Sequence, residues 1–456
     1  MKMIFTNKLF SKLACILALS VLGSTISNSA QAQEVLTIQQ AIERMLQNNL
    51  NIKQGVLNVA TADVNLSQSR AALFPTLNGT LSDNISFGRS QDQNTFQIIN
   101  QKLSTTNGSL FTSVDIFNGF SKVNVIRQNK ILLEAGASNL DKIKNDLVLQ
   151  VVTSYFQVVF NEDLLKASQE QLVVAKQTLT RENALLDAGN KTLADISQAK
   201  AQVATAELNV TNAQNQLTIS YLTLSQLMEM RADSQNYKVV APTIQDIVYA
   251  QKSYNVNEVY NSSLAIFPDI KLAQLNRQAA EKQIDIAKGA RYPRLSLNGG
   301  LGSSYSYIFD YPDPQRSFSD QVSQRFNQYI GASLSIPIFN GYNVRSNVKR
   351  ARISYEGYVI QEQLTKNTLN KIIAQAIADL RAADARYSST LNTFNAQKDA
   401  FNVIEQRYNV GLVNSLDYNT ARTNRNKAET DFIQAKYDLL FRSKVIDYYL
   451  GKQIAF

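Results

Sequence analysis

The sequence contains no histidine and no tryptophan, and only one cysteine, seven prolines and 17 glycines among 456 residues. Without histidine there is no Ser-His-Asp or Cys-His catalysis and no imidazole-ligated metal site. So few prolines and glycines describe a chain poor in turns and rich in long regular elements. A hydrophobic content of 44% is too high for a disordered chain. Beyond the N-terminal leader no apolar run approaches the roughly 18 to 20 residues that a transmembrane helix needs, so a membrane crossing has to use strands or a separate anchor. The 46 Lys and Arg residues outnumber 37 Asp and Glu without forming a basic block, which gives a nucleic-acid partner little support.

The leader has Lys2, Lys8 and Lys12 as a positive segment, an apolar stretch from Ala14 to Gly23, and Ala30-Gln31-Ala32 as a small-x-small site. This is the pattern of a secretory signal, 1–32, cut after Ala32. The one cysteine, Cys15, is preceded by Lys12-Leu13-Ala14 and followed by the apolar run, the wrong order for lipid attachment. The mature chain is therefore expected to be thiol-free and unlipidated.

The remainder repeats itself. Asn51-Ile52-Lys53 and Phe74-Pro75-x-Leu77 are matched by Asp269-Ile270-Lys271 and Tyr292-Pro293-x-Leu295 at an offset of 218. Further on, Ile116-Phe117-Asn118-Gly119-Phe120 is answered by Ile338-Phe339-Asn340-Gly341-Tyr342 at an offset of 222. Two units are expected, 33–240 and 241–456, a period too long for a solenoid of short repeats.

Each unit reads as helix, strand pair, long helix, tight turn, helix. Leu110, Thr112, Val114 and Ile116 alternate with Phe111, Ser113, Asp115 and Phe117, and Ile330 to Ile338 alternate in the same way. Leu77 to Gly88 and Leu295 to Ser306 are the expected partner strands, and Pro337 implies a strand end, an edge or a bulge. The polar and aromatic segments 89–106 and 307–327 are expected as loops joining the pairs. Phe87, Tyr305, Tyr307 and Phe309 fit an interfacial girdle or simple loop packing. Arg70, Lys288 and Arg291, near the strand starts, are expected to face water or lipid headgroups.

From Phe120 to Leu186 and from Tyr342 to Tyr408 there is no proline, and apolar residues recur at intervals of seven. The series run Val151, Val158, Leu165, Leu172, Leu179, Leu186 and Ile373, Leu380, Tyr387, Phe394, Phe401, Tyr408. Return segments carry Ala199, Ala206 and Ala213, and again Ala421, Ala428 and Ala435, the small residues of a close helix seam. A helix over 120–187 spans roughly 100 Å, matched by a leading helix over 37–72 stacked on a return helix over 192–230. Residues 231–256 are expected at a middle collar. Four strands cannot close, and open sheet edges are not tolerated in lipid, so the chain reaches across a membrane only by sharing a barrel with further copies.

The duplicated Phe74-Pro75 and Tyr292-Pro293, the paired Phe-Asn-Gly segments, and Tyr408-Asn409-Val410-Gly411-Leu412 followed by Asp417 and Ala421 resemble the TolC-type outer-membrane efflux protein family. Their order and spacing extend the resemblance over the whole mature chain. It implies a mainly α chain with a membrane β part. Three copies would form a homotrimer with a twelve-stranded β-barrel in the outer-membrane lipid and a long α-helical barrel in the periplasm. It also implies a passive duct that receives small molecules from an inner-membrane pump, of the proton-driven RND or the ABC type, through a periplasmic adaptor (membrane fusion) protein. No enzyme activity and no cofactor are implied. At the periplasmic entrance the resemblance makes Asp417 a ring aspartate and Tyr408 with Asp195 a closing link. The adaptor contacts fall at Ala188, Gly189, Asn190, Val410, Gly411 and Leu412. The family's second ring aspartate falls here at Thr420 and a closure arginine at Val413, so the latch of this chain is expected to differ.

The same residues have plainer readings. Thr192-x-x-Asp195 and Asn414-x-x-Asp417 are helix-start patterns. Gly189 and Gly411 suit helix-ending turns with positive φ, and Tyr408 ends a seam series. Gly299-Gly300-Leu301-Gly302 lies inside a strand pattern and lacks the Lys-Ser/Thr of a phosphate loop. A type I protein-secretion duct, or a soluble periplasmic coiled-coil scaffold or adaptor, remain open from the residues.

Overall fold

The computed structural model describes residues 34–91, 96–231, 237–241, 254–309 and 314–452, so the expected signal 1–32 lies outside the described residues. The two long helices, α3 (Ser121–Asp187) and α8 (Asn343–Asn409), have 67 residues each and reach about 100 Å. Each turns back into a helix of 35 residues, α4 (Leu193–Leu227) and α9 (Ser415–Tyr449). The leading helices are interrupted where single helices were expected. Asn49 separates α1 (Ile38–Asn48) from α2 (Leu50–Ala71), capping α2 through the Asn51 N–H at 2.9 Å and donating to Leu227 O at 3.0 Å. Phe267 and Pro268 separate α5 (Val256–Ile266) from α6 (Pro268–Gly289), with the proline in the first turn where its missing N–H costs nothing.

α3 is the spine. Its first half packs between α2 and α6 and its second half between α4 and α9, while α8 packs on α6 and then on α9. Where the flanking helices change over, the main core forms around Val151, Val152, Tyr155 and Val159 of α3, Ile373 and Ile377 of α8, and Leu439, Leu440 and Ile446 of α9. A parallel pair not expected from the sequence, β1 (Glu34–Leu36) and β4 (Tyr237–Val239), closes this level. β4 lies in the expected collar segment, of which 232–236 and 242–253 fall outside the described residues.

At one end of the rod stands a four-stranded antiparallel sheet in the order β2 (Thr76–Gln91), β3 (Ile98–Asn118), β5 (Arg294–Ile308), β6 (Asn327–Ser335). The strands correct two expectations. β2 and β3 have 16 and 21 residues and stay paired out to Gln91 opposite Ile98, so much of 89–106 is strand and not loop. Their outer parts mix Ser, Thr, Asn and Gln with Arg89 and Lys102, and Ile98, Ile99 and Leu103 follow no period of two, so there is no apolar alternation to read. In 307–327 there is a short helix, α7 (Phe318–Gln324), packed against β5. β6 stops at Ser335, so Pro337 follows a strand end, and Ile338 is not in the strand.

Beyond the start of β6, two glutamines take the place of a neighbouring strand on β5. Gln321 receives the Ser306 N–H and donates to Ser306 O, both at 3.0 Å, and Gln315 does the same at Ile308. Strand register puts Leu77, Leu81, Ile85 and Phe87 on one face with Leu110, Val114, Leu297, Leu301, Ile330 and Leu334. Asn78, Ser82, Asn107, Ser109, Asn298 and Ser333 lie on the other. The apolar face is bare in the single chain, with Leu81 80% and Ile330 88% exposed.

The Phe-Asn-Gly-aromatic segments have a backbone cause. Each strand pair passes into its long helix through two consecutive residues in the left-handed region, Gly119 and Phe120 at φ of 64° and 61°, Gly341 and Tyr342 at 61° and 62°. A Cβ on Gly119 would also lie 2.2 Å from Gly289 O, so the glycine permits close contact with α6. Near this junction Asp115 takes a bidentate pair of bonds from Arg294 at 2.9 Å and lies 2.9 Å from Lys122, which bonds Ala72 O at 2.6 Å. One carboxylate thereby fastens the sheet to the helices.

Tyr155 is wholly buried, and its hydroxyl lies 3.0 and 2.9 Å from the carbonyls of Leu36 and Val240 while accepting the Val240 N–H at 2.8 Å. Burial pushes its pKa up to about 12. Tyr155→Phe keeps the ring and strands these backbone groups, and is expected to cost about 1–3 kcal/mol in denaturant unfolding of the detergent-solubilised protein.

Candidate functional site: the helix tips

At the end of the rod opposite the sheet, α3 and α8 finish in the same turn. Gly189 N–H bonds Leu186 O and Asn190 N–H bonds Leu185 O, and Gly411 and Leu412 repeat this on Tyr408 O and Arg407 O. Gly189 and Gly411 have φ of 75° and 79°, and a Cβ on either would meet nothing within 4 Å, so it is the left-handed backbone alone that demands glycine. Both return helices start on the expected caps. Thr192 and Asp195 form a reciprocal capping box, and Asn414 Oδ1 accepts the Asp417 N–H at 2.8 Å.

Between the two turns lies a polar cluster that joins α3, α4 and its leading loop, α8 and α9. The Tyr408 hydroxyl donates to Glu182 Oε1 and accepts from Lys191 Nζ at 3.1 Å. Lys191 Nζ also donates to Ser415 Oγ at 2.6 Å and lies 3.4 Å from Glu182 Oε2. Ser415 Oγ in turn donates to Asp195 Oδ1 at 2.9 Å. Glu182 and Tyr408 are buried, and the Tyr408 ring stacks on Tyr418 at 4.4 Å while Arg181 and Lys191 lie 4.6 and 4.8 Å from its centre. Arg181 also bonds Asn409 of the opposite turn. Burial opposes the Lys191 charge, but its bonds to Tyr408 and Glu182 outweigh that and hold its pKa above the ordinary lysine value. Bonds from the Thr192 backbone and hydroxyl, then from Ser415, hold Asp195 below the ordinary aspartate value.

Tyr408 and Asp195 are therefore brought together, though through Lys191 and Ser415 and not by a bond of their own. Asp417 stands outside the cluster, exposed in the first turn of α9. Leu193, Val410, Leu412 and Leu416 are 70–73% exposed around the turns, a set of bare apolar side chains at the extreme end of the rod.

A family model described as outer membrane efflux protein matches residues 41–228 and 259–452. The chain belongs to this family. It is 22% identical over 407 residues to toxin and drug export protein A of Aggregatibacter actinomycetemcomitans, covering 88% of this chain and 83% of that one. It is 21% identical to the outer membrane protein TolC of Escherichia coli K12, covering 94% and 85%. The fold is similar to the crystal structure of the outer membrane protein VceC of Vibrio cholerae, with a TM-score of 0.74, 18% identity, and 91% and 96% of the two chains covered. The chain is thus an outer-membrane efflux duct that extends into the periplasm, a channel and not an enzyme. This removes the soluble-scaffold reading.

Sequence reasoning missed Glu182, Lys191, Ser415 and Tyr418. Glu182 did carry a signal, since it stands three residues after Leu179 and four before Leu186, on the second seam position of the heptad series. A carboxylate on a seam needs a partner, and Lys191 supplies it across the turn.

Removing Glu182 leaves the Lys191 ammonium without its carboxylate in a mostly buried place. Glu182→Ala is expected to destabilise the tip by about 3 kcal/mol, read as faster amide exchange at residues 185–197. For Asp195 the folded pKa lies below the unfolded one, so its stabilisation is present above the ordinary aspartate range, near about 3.9, and is lost as pH falls through the lowered folded value. The tip is expected to loosen only in that acidic window, and Asp195→Asn to abolish the acid dependence of exchange at these residues after correction for intrinsic rates.

Proposed function

We propose that the protein is the passive exit duct of a tripartite exporter, a homotrimer built from two duplicated units, 33–240 and 241–456, per chain. The observation that carries this reading is that the protomer ends in unmatched edges at every level. β2 and β6 each have one unpaired edge, α2 exposes Val56, Leu57 and Val64, and α8 exposes Ile353, Ile360 and Leu364. In a ring, β6 of one copy meets β2 of the next and α8 meets α2, which closes twelve strands and covers the apolar helix faces together. The apolar sheet face then turns to lipid and the Ser/Asn face to the lumen.

In this reading the lower entrance is closed by the inner helices α4 and α9. The Glu182–Tyr408–Lys191–Ser415–Asp195 cluster holds them against α3 and α8, in place of the arginine latch that Val413 cannot supply. Asp417, free on the first turn of α9, lines the entrance as a cation-attracting ring. Ala188, Gly189, Asn190, Val410, Gly411 and Leu412, with the bare leucines beside them, are the contacts for a periplasmic adaptor, through which an inner-membrane RND or ABC pump supplies the energy. Efflux of small molecules is the leading substrate class. Protein secretion is a second reading, favoured by the relative whose name joins toxin with drug export.

Native mass spectrometry of the mature protein in detergent is expected to give the mass of three chains, and a monomer would end the shared-barrel reading. In planar bilayers, Tyr408→Phe combined with Asp195→Ala is expected to raise single-channel conductance several-fold, and Asp417→Ala to weaken block by divalent cations about tenfold. Unchanged currents would leave these residues as packing and caps.

A further inference from the structure

Several of the partly buried arginines of the second hairpin and its neighbours are held by carboxylates. Arg277 pairs with Glu362 at 2.7 Å, Arg386 with Asp438 at 3.0 Å, Arg442 with Asp379 at 2.5 Å and Arg425 with Glu429 at 3.3 Å. Arg422 differs from these. It is more deeply buried than any of these, with 7% of its surface exposed, and none of the ion pairs of the described residues includes it. Its neighbours are neutral: Thr178 Oγ1 of α3 at 3.3 Å, and the Tyr418 ring, whose centre lies 5.7 Å from the guanidinium carbon. Nearby Glu429 is taken by Arg425 and accepts from Gln171 at 3.4 Å. Desolvation pulls the pKa of Arg422 below the ordinary arginine value, outweighing its contacts with Tyr418 and Tyr408.

Arg422 lines a groove of about 330 Å³ between α3, α4 and α9, many times the roughly 30 Å³ share of one water. Lys427, Gln202, Asn209, Asn426 and Thr423 also line it, and no carboxylate does. The wall is thus two cationic groups surrounded by amides and hydroxyls. A buried guanidinium without a counter-charge is a strongly unfavourable arrangement, and a planar donor fork beside an ammonium is the arrangement that recognises oxyanions.

We propose that this groove is a binding site for a small oxyanion, a phosphate, sulfate or carboxylate group, held by Arg422 and Lys427 and bridging the first hairpin to α9. The site lies above the tip cluster and does not depend on the latch reading. Its anion comes either from the free inorganic ion of the periplasm or from an acidic group on an exported molecule.

The test is thermal unfolding of the full-length detergent-extracted protein at constant ionic strength, comparing sodium chloride with added inorganic phosphate and, separately, with added benzoate. The wild type is expected to gain several degrees with at least one of them. A gain with phosphate assigns the site to the free ion, and a gain with benzoate alone assigns it to an acidic cargo group. Arg422→Met is expected to melt no lower than wild type in chloride, because the unanswered charge has gone, and to show no anion-dependent shift. Lys427→Met, on an exposed side chain that folding does not need, is expected to raise the anion concentration for half the shift about tenfold. No shift in the wild type with either anion overturns the proposal, as does an equal shift in Arg422→Met or an unchanged half-concentration in Lys427→Met.

Discussion

A β-sheet in hydrocarbon has no water to satisfy its edges, and this one requirement organises the protein from end to end. The sheet of each protomer has four strands, too few to curl into a closed wall, so the outer edges of β2 and β6 are open, and in the proposed ring a further copy supplies the missing ladder. In that ring the helices below inherit the same symmetry. The helices that continue the sheet have to stand side by side at the spacing that the strands set, which is why their seams are written with alanine in the return helices and with heptad spacing throughout. The partial substitute at β5, where the amides of Gln315 and Gln321 occupy the backbone groups of Ile308 and Ser306, answers the same requirement where β6 is too short to do so.

The tip obeys a different economy. Two turns with left-handed glycines reverse the chain, and the space between them is filled by groups that are costly to bury singly. Glu182, Lys191 and Tyr408 tolerate this position because each meets the hydrogen-bonding needs of the others, and because the contacts cross from one hairpin to the other. Such a cluster is cohesive while complete and weak once any member leaves. An apolar plug of the same size would hold equally well but would lack that all-or-none character.

Much of this was legible in the residues. The long helices, their turns at Gly189 and Gly411, the caps at Thr192 and Asn414, and the central strands follow from heptad spacing, left-handed glycines, helix-start chemistry and period-2 alternation, all of which are local. The outer extension of β2 and β3 was not legible, because its mainly polar residues, with Ile98, Ile99 and Leu103 out of phase, leave no apolar rhythm. Nor was the break at Asn49, whose purpose is a long-range bond to Leu227. β1 and β4 are three residues each and lie about 200 positions apart, so only packing reveals them. At the tip, spacing identified Tyr408 and Asp195, but Lys191 and Ser415 join them through contacts across more than 200 positions that no local pattern encodes.

The level at which α3 exchanges one set of partners for another has a mechanical consequence. There the core around Tyr155 and the β1–β4 pair clamps the ends of α4 and α9, while their other ends are held by the tip cluster and by seam packing such as Tyr418 and Ala421 against Phe401. Each return helix is about 52 Å long and most deeply buried at the end nearer this core. Tilting such a helix about that end by about 10° sweeps its other end through about 9 Å, with hardly any displacement at the pivot. In the proposed ring, an aperture at the tip ends would thus widen by more than the width of a small molecule while the barrel wall, on the far side of the pivot, keeps its shape.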